Sequence, residues 1–162
     1  MTKFISWQYF MITLEPIGYV SSPRDDPSDD GWGNIEARIE LCPEFGPNAL
    51  DGIEDFSHIE VVFLFDRVPV NQIERGARHP RGNTAWPQVG IFAQRGKNRP
   101  NRLGVSVARL VRRNGWQIVL QGLDAINGTP VLDLKPVMRE FLPAGDLRQP
   151  SWTHELMSRY WR

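Results

Sequence analysis

Leu103-Gly-Val-Ser-Val-Ala-Arg-Leu110, followed by Arg113-Asn-Gly-Trp116 and Gln117-Ile-Val-Leu-Gln-Gly-Leu123, is the stretch that decides the fold. In an extended chain Val105 and Val107, with Arg109 next in line, point one way, while Ser106, Ala108 and Leu110 point the other. Asn114-Gly115 suits the left-handed dihedrals of a tight two-residue turn, so the two runs read as a hairpin. Similar brief runs bounded by turn residues occur at Leu14 to Val20, Ile35 to Leu41, Ile59 to Phe65, Val89 to Ala93 and Pro130 to Leu134. Thirteen prolines and fourteen glycines interrupt the chain too often for long helices. Many short strands without helical periods between them predict a small barrel or sandwich rather than a parallel α/β sheet.

Two places read as helical. Asn48 to Phe56 suits a short turn, and a C-terminal helix starts at Ser151-Trp-Thr-His-Glu, with Ser151 or Thr153 as N-cap and Leu156, Met157 and Tyr160 on its apolar face. Two long excursions, Ser21 to Gly33 and Asn71 to Pro87, have the length of functional or mobile loops.

The 162 residues, 41% hydrophobic and 23% charged, suit one globular domain rather than a disordered chain. Cys42 stands alone, which rules out a disulfide within the chain and suits a reducing compartment, so a cytoplasmic location is expected. The apolar run Phe4 to Leu14 is too short to span a bilayer and lacks a cleavage site, and it is read as neither signal nor anchor. Met11 precedes the first strand, so residues 1–11 are read as an N-terminal extension and residues 12–162 as a single domain.

The net charge of zero hides a segregation. Arg24 to Asp66 carries twelve acidic and two basic residues, and Arg67 to Arg113 carries eleven basic residues and one acidic, Glu74. Such an arginine-rich middle binds phosphate or carboxylate if one face gathers it, or pairs with the acidic segment. No Gly-x-Gly-x-x-Gly, phosphate loop or Gly-x-Ser-x-Gly is present. The three histidines lack zinc-ligand spacing, and no metal is expected.

The informative run is Gly90-Ile-Phe-Ala-Gln-Arg-Gly-Lys-Asn-Arg-Pro-Asn-Arg-Leu-Gly104, in which a strand leads into Arg95, Lys97, Arg99 and Arg102. Guanidiniums there suit a bidentate grip on an anion. Together with Pro16-Ile-Gly-Tyr-Val-Ser-Ser-Pro23, Phe56-Ser-His-Ile59 and Leu123-Asp-Ala-Ile-Asn-Gly-Thr-Pro-Val-Leu-Asp-Leu-Lys-Pro136, in that order along the chain, this run resembles the TrmO/TsaA-like family. The resemblance covers about Ile12 to Leu142. It implies a mainly β fold, a small TsaA-like β-barrel with short helices and a C-terminal helix. It also implies a homodimer with an S-adenosylmethionine site near its interface, and N6-methylation of threonylcarbamoyladenosine beside a tRNA anticodon. Three positions depart from the family pattern: Gln94 replaces Thr, Arg102 replaces Pro and Val137 replaces Tyr.

Carried over residue by residue, the resemblance implies cofactor contacts from Arg24, Asp25 and Asp26, from His58 and Ile59, from Arg95 and Arg99, and from Leu123, Asp124, Ala125 and Ile126. Asp133 and Lys135 alternate with Leu132 and Leu134 and so share a strand face, where they pair with each other or position the reacting nitrogen. Asp133, Lys135 and Asp124 are the catalytic candidates; for the base, Asp133, Asp124 and His58 stay open in that order. Trp86 either stacks on an RNA base or packs in the protein. The competing function is a non-catalytic RNA-binding barrel, which would not bind S-adenosylmethionine.

Overall fold

A computed structural model describes residues 11–162. The extension expected over residues 1–11 therefore lies, apart from Met11, outside the described residues. Strands β1 (Gly18–Ser21), β2 (Glu36–Leu41), β3 (His58–Leu64), β6 (Leu103–Asn114), β7 (Gln117–Gln121) and β8 (Pro130–Pro136) close into an antiparallel barrel in the order β1-β2-β7-β6-β3-β8. The short strands β4 (Ala77–Arg78) and β5 (Val89–Gly90) form a separate ribbon. Among the described residues the single α-helix, α1, spans Ser151–Met157. Among the described residues no helix is long and apolar enough to cross a membrane.

Alternation builds the wall. In β2, Ala37, Ile39 and Leu41 are buried while their neighbours face out, and in β3 the inward set is Ile59, Val61 and Phe63. Ile118 and Leu120 of β7 and Val131 of β8 complete the core. β6 turns its small residues, Gly104, Ser106 and Ala108, inward and leaves Val105 and Val107 39% and 47% exposed. Phe63 explains this, because a Cβ on Gly104 would lie 2.4 Å from its ring.

Some expected boundaries shift. The hairpin turn consists of Gly115 and Trp116, since Asn114 already pairs with Gln117 and only Gly115 takes a positive φ, 62°. β1 starts at Gly18, after Pro16, which has no N–H to give a ladder. The strand expected at Val89 to Ala93 ends at Gly90. Ile91–Ala93 curl into a 3₁₀ turn, and the Gln94 amide fixes that bend by donating to the carbonyls of Val89 (2.8 Å) and Arg78 (3.2 Å). The helical turn expected over residues 48–56 is two 3₁₀ turns, Pro47–Leu50 and Ile53–Asp55, separated at Gly52, φ 82°. Neither Ser151 nor Thr153 caps α1: Pro150 occupies the N-cap, and the Thr153 hydroxyl donates back to its carbonyl at 2.6 Å.

Antiparallel polarity sorts the connections. The loops β1–β2 (22–35), β3–β6 (65–102) and β7–β8 (122–129) all leave from one barrel end, while β2–β3 and β6–β7 turn at the other.

Candidate functional site

The loop after β1 is organised by one arginine. Arg24 donates from Nε to the Asp26 carbonyl (3.1 Å), from Nη1 to the Asp30 carbonyl (2.7 Å) and from Nη2 to the Ser28 carbonyl (2.7 Å) and hydroxyl. Its guanidinium lies 3.7 Å from the centre of the buried Trp32 ring. All three guanidinium nitrogens are thus committed to the protein, so Arg24 shapes this loop. The neighbouring Asp25 and Asp26 are exposed.

The β7–β8 loop docks beside it. The Asn127 N–H donates to the Arg24 carbonyl (2.8 Å), its side-chain oxygen accepts from the Ser22 N–H (3.2 Å), and its carbonyl accepts from Arg67 (2.7 Å). Leu123 and Ala125 are buried, so their contribution to a ligand is main-chain only, while Asp124 and Ile126 are half-buried.

The arginine-rich segment closes the third side. Arg81 contacts Asp30 at 2.9 Å and Asp29 at 3.5 Å, and Lys97 reaches Asp29 at 3.4 Å and the Pro27 carbonyl at 2.8 Å. Acidic and basic excursions therefore clasp each other. Arg99 spends one bond on the Gln94 carbonyl (3.1 Å), and Arg102 holds the Val68 carbonyl (3.0 Å). Arg78 has a buried Nε with no partner, and a Cβ on Gly96 would sit 2.8 Å from its guanidinium. Non-glycine residues with positive φ occur at Arg81 (51°), Asn101 (63°) and Arg102 (53°), all in this segment.

The segment around α1 covers these loops. The Trp86 indole donates to Glu155 (2.8 Å), and the Trp86 and Trp152 rings lie 6.5 Å apart. Trp86 thus packs within the protein. The Gly31 and Trp32 amides donate to the carbonyls of Arg159 (3.2 Å) and Tyr160 (2.8 Å), and the Tyr160 hydroxyl donates to Oδ2 of Asp124. Oδ1 of Asp124 is buried without a partner. Burial, and then the charge of Asp124, push the Tyr160 phenol far above the usual tyrosine range, so it stays protonated as a donor.

Two groups of sequence candidates lie apart from this cluster. His58 opens β3 at the opposite barrel end, where Nδ1 meets the Ser57 hydroxyl at 2.8 Å, and Ile59 is a core residue with no exposed surface. Asp133 and Lys135 lie on β8 and form an ion pair with each other; in register they stand opposite Val62 and Glu60 of β3. Arg95 belongs with that outer wall, donating to the carbonyl of Val105, which is the β6 partner of Val62. An open groove of about 360 Å³, lined by Ser21, Ser22, Pro23, Glu36, Arg38 and Arg112 among others, runs along the barrel beside the Arg24 loop. Among the described residues no group of three or more His, Cys, Asp or Glu side chains could hold a metal ion.

Sequence reasoning missed Tyr160, Trp32 and the aspartates Asp29 and Asp30 as parts of the cluster. The one signal was Gly31-Trp-Gly33, whose second glycine leaves room for a crossing chain: a Cβ on Gly33 would lie 1.9 Å from the Trp161 carbonyl oxygen.

Residues 21–141 match the family described as the tRNA-methyltransferase O N-terminal domain. A probable S-adenosyl-L-methionine-binding protein of Pyrococcus abyssi is 36% identical over 141 residues, 81% of this chain and 71% of that protein. The human tRNA (adenine(37)-N6)-methyltransferase is 34% identical over 151 residues, 86% of this chain and 33% of its own length. A crystal structure of TrmO from P. aeruginosa superposes with a TM-score of 0.73 at 29% identity, over 91% of this chain and 64% of that one. This chain thus spans a third of the human relative and just under two thirds of that TrmO chain. By the family match and these identities, the chain belongs to the tRNA-methyltransferase O N-terminal domain family.

Proposed function

We propose that this protein is an S-adenosylmethionine-dependent methyltransferase acting on tRNA, with N6 of threonylcarbamoyladenosine near the anticodon as the acceptor. One observation carries the reading: within a chain of this family, the loops that hold Asp25 and Asp26, Arg99, and Asp124 all leave from one end of the barrel.

The residues fit such a cofactor. S-adenosylmethionine presents an ammonium, a carboxylate, a ribose and an adenine. The exposed Asp25 and Asp26 suit the ammonium or ribose hydroxyls. Arg99, which spends a single bond on the protein, and the unpartnered Nε of Arg78 suit the carboxylate. When bound, the cofactor supplies a methyl group on a sulfonium, whose departure drives transfer. The chain's share is alignment: Arg24 holds the 24–30 loop in shape, Asn127 ties it to the Asp124 loop, and the Asp124 carboxylate would take a proton from an attacking nitrogen once the Tyr160 hydroxyl leaves it.

The same reading includes a homodimer. Val105 and Val107 stand 39% and 47% exposed on the outer wall, and a second copy seated there would cover them and bring the wall residues Arg95, Asp133, Lys135 and His58 to a shared site. The free thiol of Cys42 accords with a cytoplasmic setting.

Calorimetric titration with S-adenosylmethionine, followed by transfer of labelled methyl to tRNA, tests the function. Binding and transfer support it. A folded protein that binds tRNA without binding the cofactor is a non-catalytic RNA-binding barrel instead. Light scattering tests the dimer, and a monomer at micromolar concentration contradicts it.

A further inference from the structure

Residues 159–162 cross the site by a route that one side chain would close. The strap passes over Gly33, where any Cβ would meet the Trp161 carbonyl, and it is pinned by the Gly31 and Trp32 amides. This delivers the Tyr160 ring to Asp124. The hydroxyl donates to Oδ2, the Arg81 guanidinium carbon stands 6.0 Å from the ring centre, and the Trp161 ring meets it edge-on at 4.8 Å. Oδ1 of Asp124 stays buried with no donor. A hidden acceptor without a partner is unfavourable, so the closed arrangement is poised to give way to a ligand that satisfies both oxygens.

We propose that the strap is an intramolecular plug, in which Tyr160 occupies with its ring and hydroxyl the place at Asp124 that a nucleoside takes once the strap lifts. The ligand is recognised by its chemistry: a flat ring below a guanidinium, bearing an N–H or O–H donor for a carboxylate. The proposal rests on the methyltransferase reading, in which that nucleoside is either the adenosine portion of the cofactor or a base of the RNA substrate.

Two variants open the plug from different sides. Truncation after Ser158 removes the strap, and Gly33→Ala displaces it while keeping Tyr160 and Asp124. Each is expected to speed hydrogen exchange of the Gly31 and Trp32 amides and to tighten binding of one probe, adenosine or an anticodon stem-loop RNA. The gain is about tenfold if the closed state holds about nine-tenths of the molecules. Tighter adenosine assigns the place to the cofactor, and tighter RNA assigns it to the substrate. Unchanged or weaker binding of both probes, in a variant whose 31–32 amides exchange fast, overturns the proposal. So does exchange that stays slow after truncation. Should Gly33→Ala fail to fold, Tyr160→Ala carries the same comparison. S-adenosylmethionine titrated alongside separates the two ideas: tightening toward either probe without any cofactor binding keeps the plug and removes the methyltransferase reading.

Discussion

The barrel wall and the loop end of this molecule are held together by opposite means. Along the wall Ile39, Ile59, Val61, Ile118, Leu120 and Val131 lose all their exposure, and the strands close on themselves, so apolar burial and a ladder without a free edge do the holding. At the loop end the chain is irregular, and guanidiniums on carbonyl oxygens fix it: Arg24 on Asp26, Ser28 and Asp30, Arg67 on Asn127, Arg99 on Gln94, Arg102 on Val68. Loop carbonyls have no ladder partner, and an arginine with five donors satisfies several at once. A run of arginines is therefore not by itself a ligand surface, because much of it serves as scaffolding.

The wall should give the largest response. Phe63→Ala is expected to cost about 3 to 5 kcal/mol in urea unfolding, the range for removing a buried phenylalanine. Gly104→Ala should also destabilise the protein, because its Cβ would meet the Phe63 ring, and the two changes together should cost less than their sum. Strict additivity would break this account of why β6 faces its small residues inward.

The loop end should respond in ligand affinity rather than in unfolding. Arg24→Ala is expected to weaken S-adenosylmethionine binding by about 1.5 to 3 kcal/mol, since the charge-assisted bonds that shape the loop are lost. Arg24→Lys should not restore it, because an ammonium cannot fork across three carbonyls and stack on Trp32. Wild-type affinity in Arg24→Lys would show that the loop does not depend on the fork. Arg99→Ala should weaken the cofactor by about the same amount. Arg95 leans on the outer wall and reaches a ligand only through a second copy, so Arg95→Ala should weaken binding only where the protein is dimeric; equal losses in dilute monomer would put both arginines on one ligand within a chain.

A smaller effect concerns acid. The Glu74 carboxylate accepts the amides of Gly76 (2.7 Å) and Arg75 (2.8 Å), and these bonds hold it below the usual glutamate range. Because the folded value is the lower one, this support is present above the unfolded value and is lost as pH falls through the folded one. The amide shifts of Arg75 and Gly76 should follow that titration, and Glu74→Gln should abolish it.

How much of this the sequence carried depends on the range of the interactions. Half-buried antiparallel strands write their faces into alternate residues, which made β2, β3 and β6 legible, while β7 and β8 were legible as short apolar runs between turn residues. A four-residue apolar run such as Ile91 and its neighbours does not distinguish a strand from a 3₁₀ turn, and the bend there is set by Gln94 reaching back to Arg78 and Val89. The site was legible only through resemblance, and its main partnerships are long-range: Asp30 with Arg81, Tyr160 with Asp124. No local pattern announces them. Chain polarity also separates His58 from the loops that the resemblance grouped with it. At Arg102, where the family pattern has proline, φ is 53°, which a proline ring cannot adopt, so the arginine loop here takes a path of its own.

The smallest effect on stability should accompany the most telling change in binding. Asp29 and Asp30 hold Arg81 and Lys97 at the surface, with 47% and 40% of their own side chains exposed, and pairs of this kind contribute about 0 to 1 kcal/mol. Replacing both aspartates by asparagine should therefore leave the unfolding midpoint within that margin. The same replacement frees a guanidinium and an ammonium that the clasp now neutralises. If the arginine loop lies on the RNA path, tRNA affinity at low salt should rise, and the slope of log affinity against log salt should steepen by about two units, one for each cation released to a phosphate. The gain should fade as salt rises, because screening removes what the variant adds. Cofactor affinity should hardly move, because neither aspartate side chain is among the groups proposed to hold the cofactor. A double variant that binds tRNA with the wild-type slope would mean that Arg81 and Lys97 only staple the acidic loop, and that RNA approaches the barrel along another face.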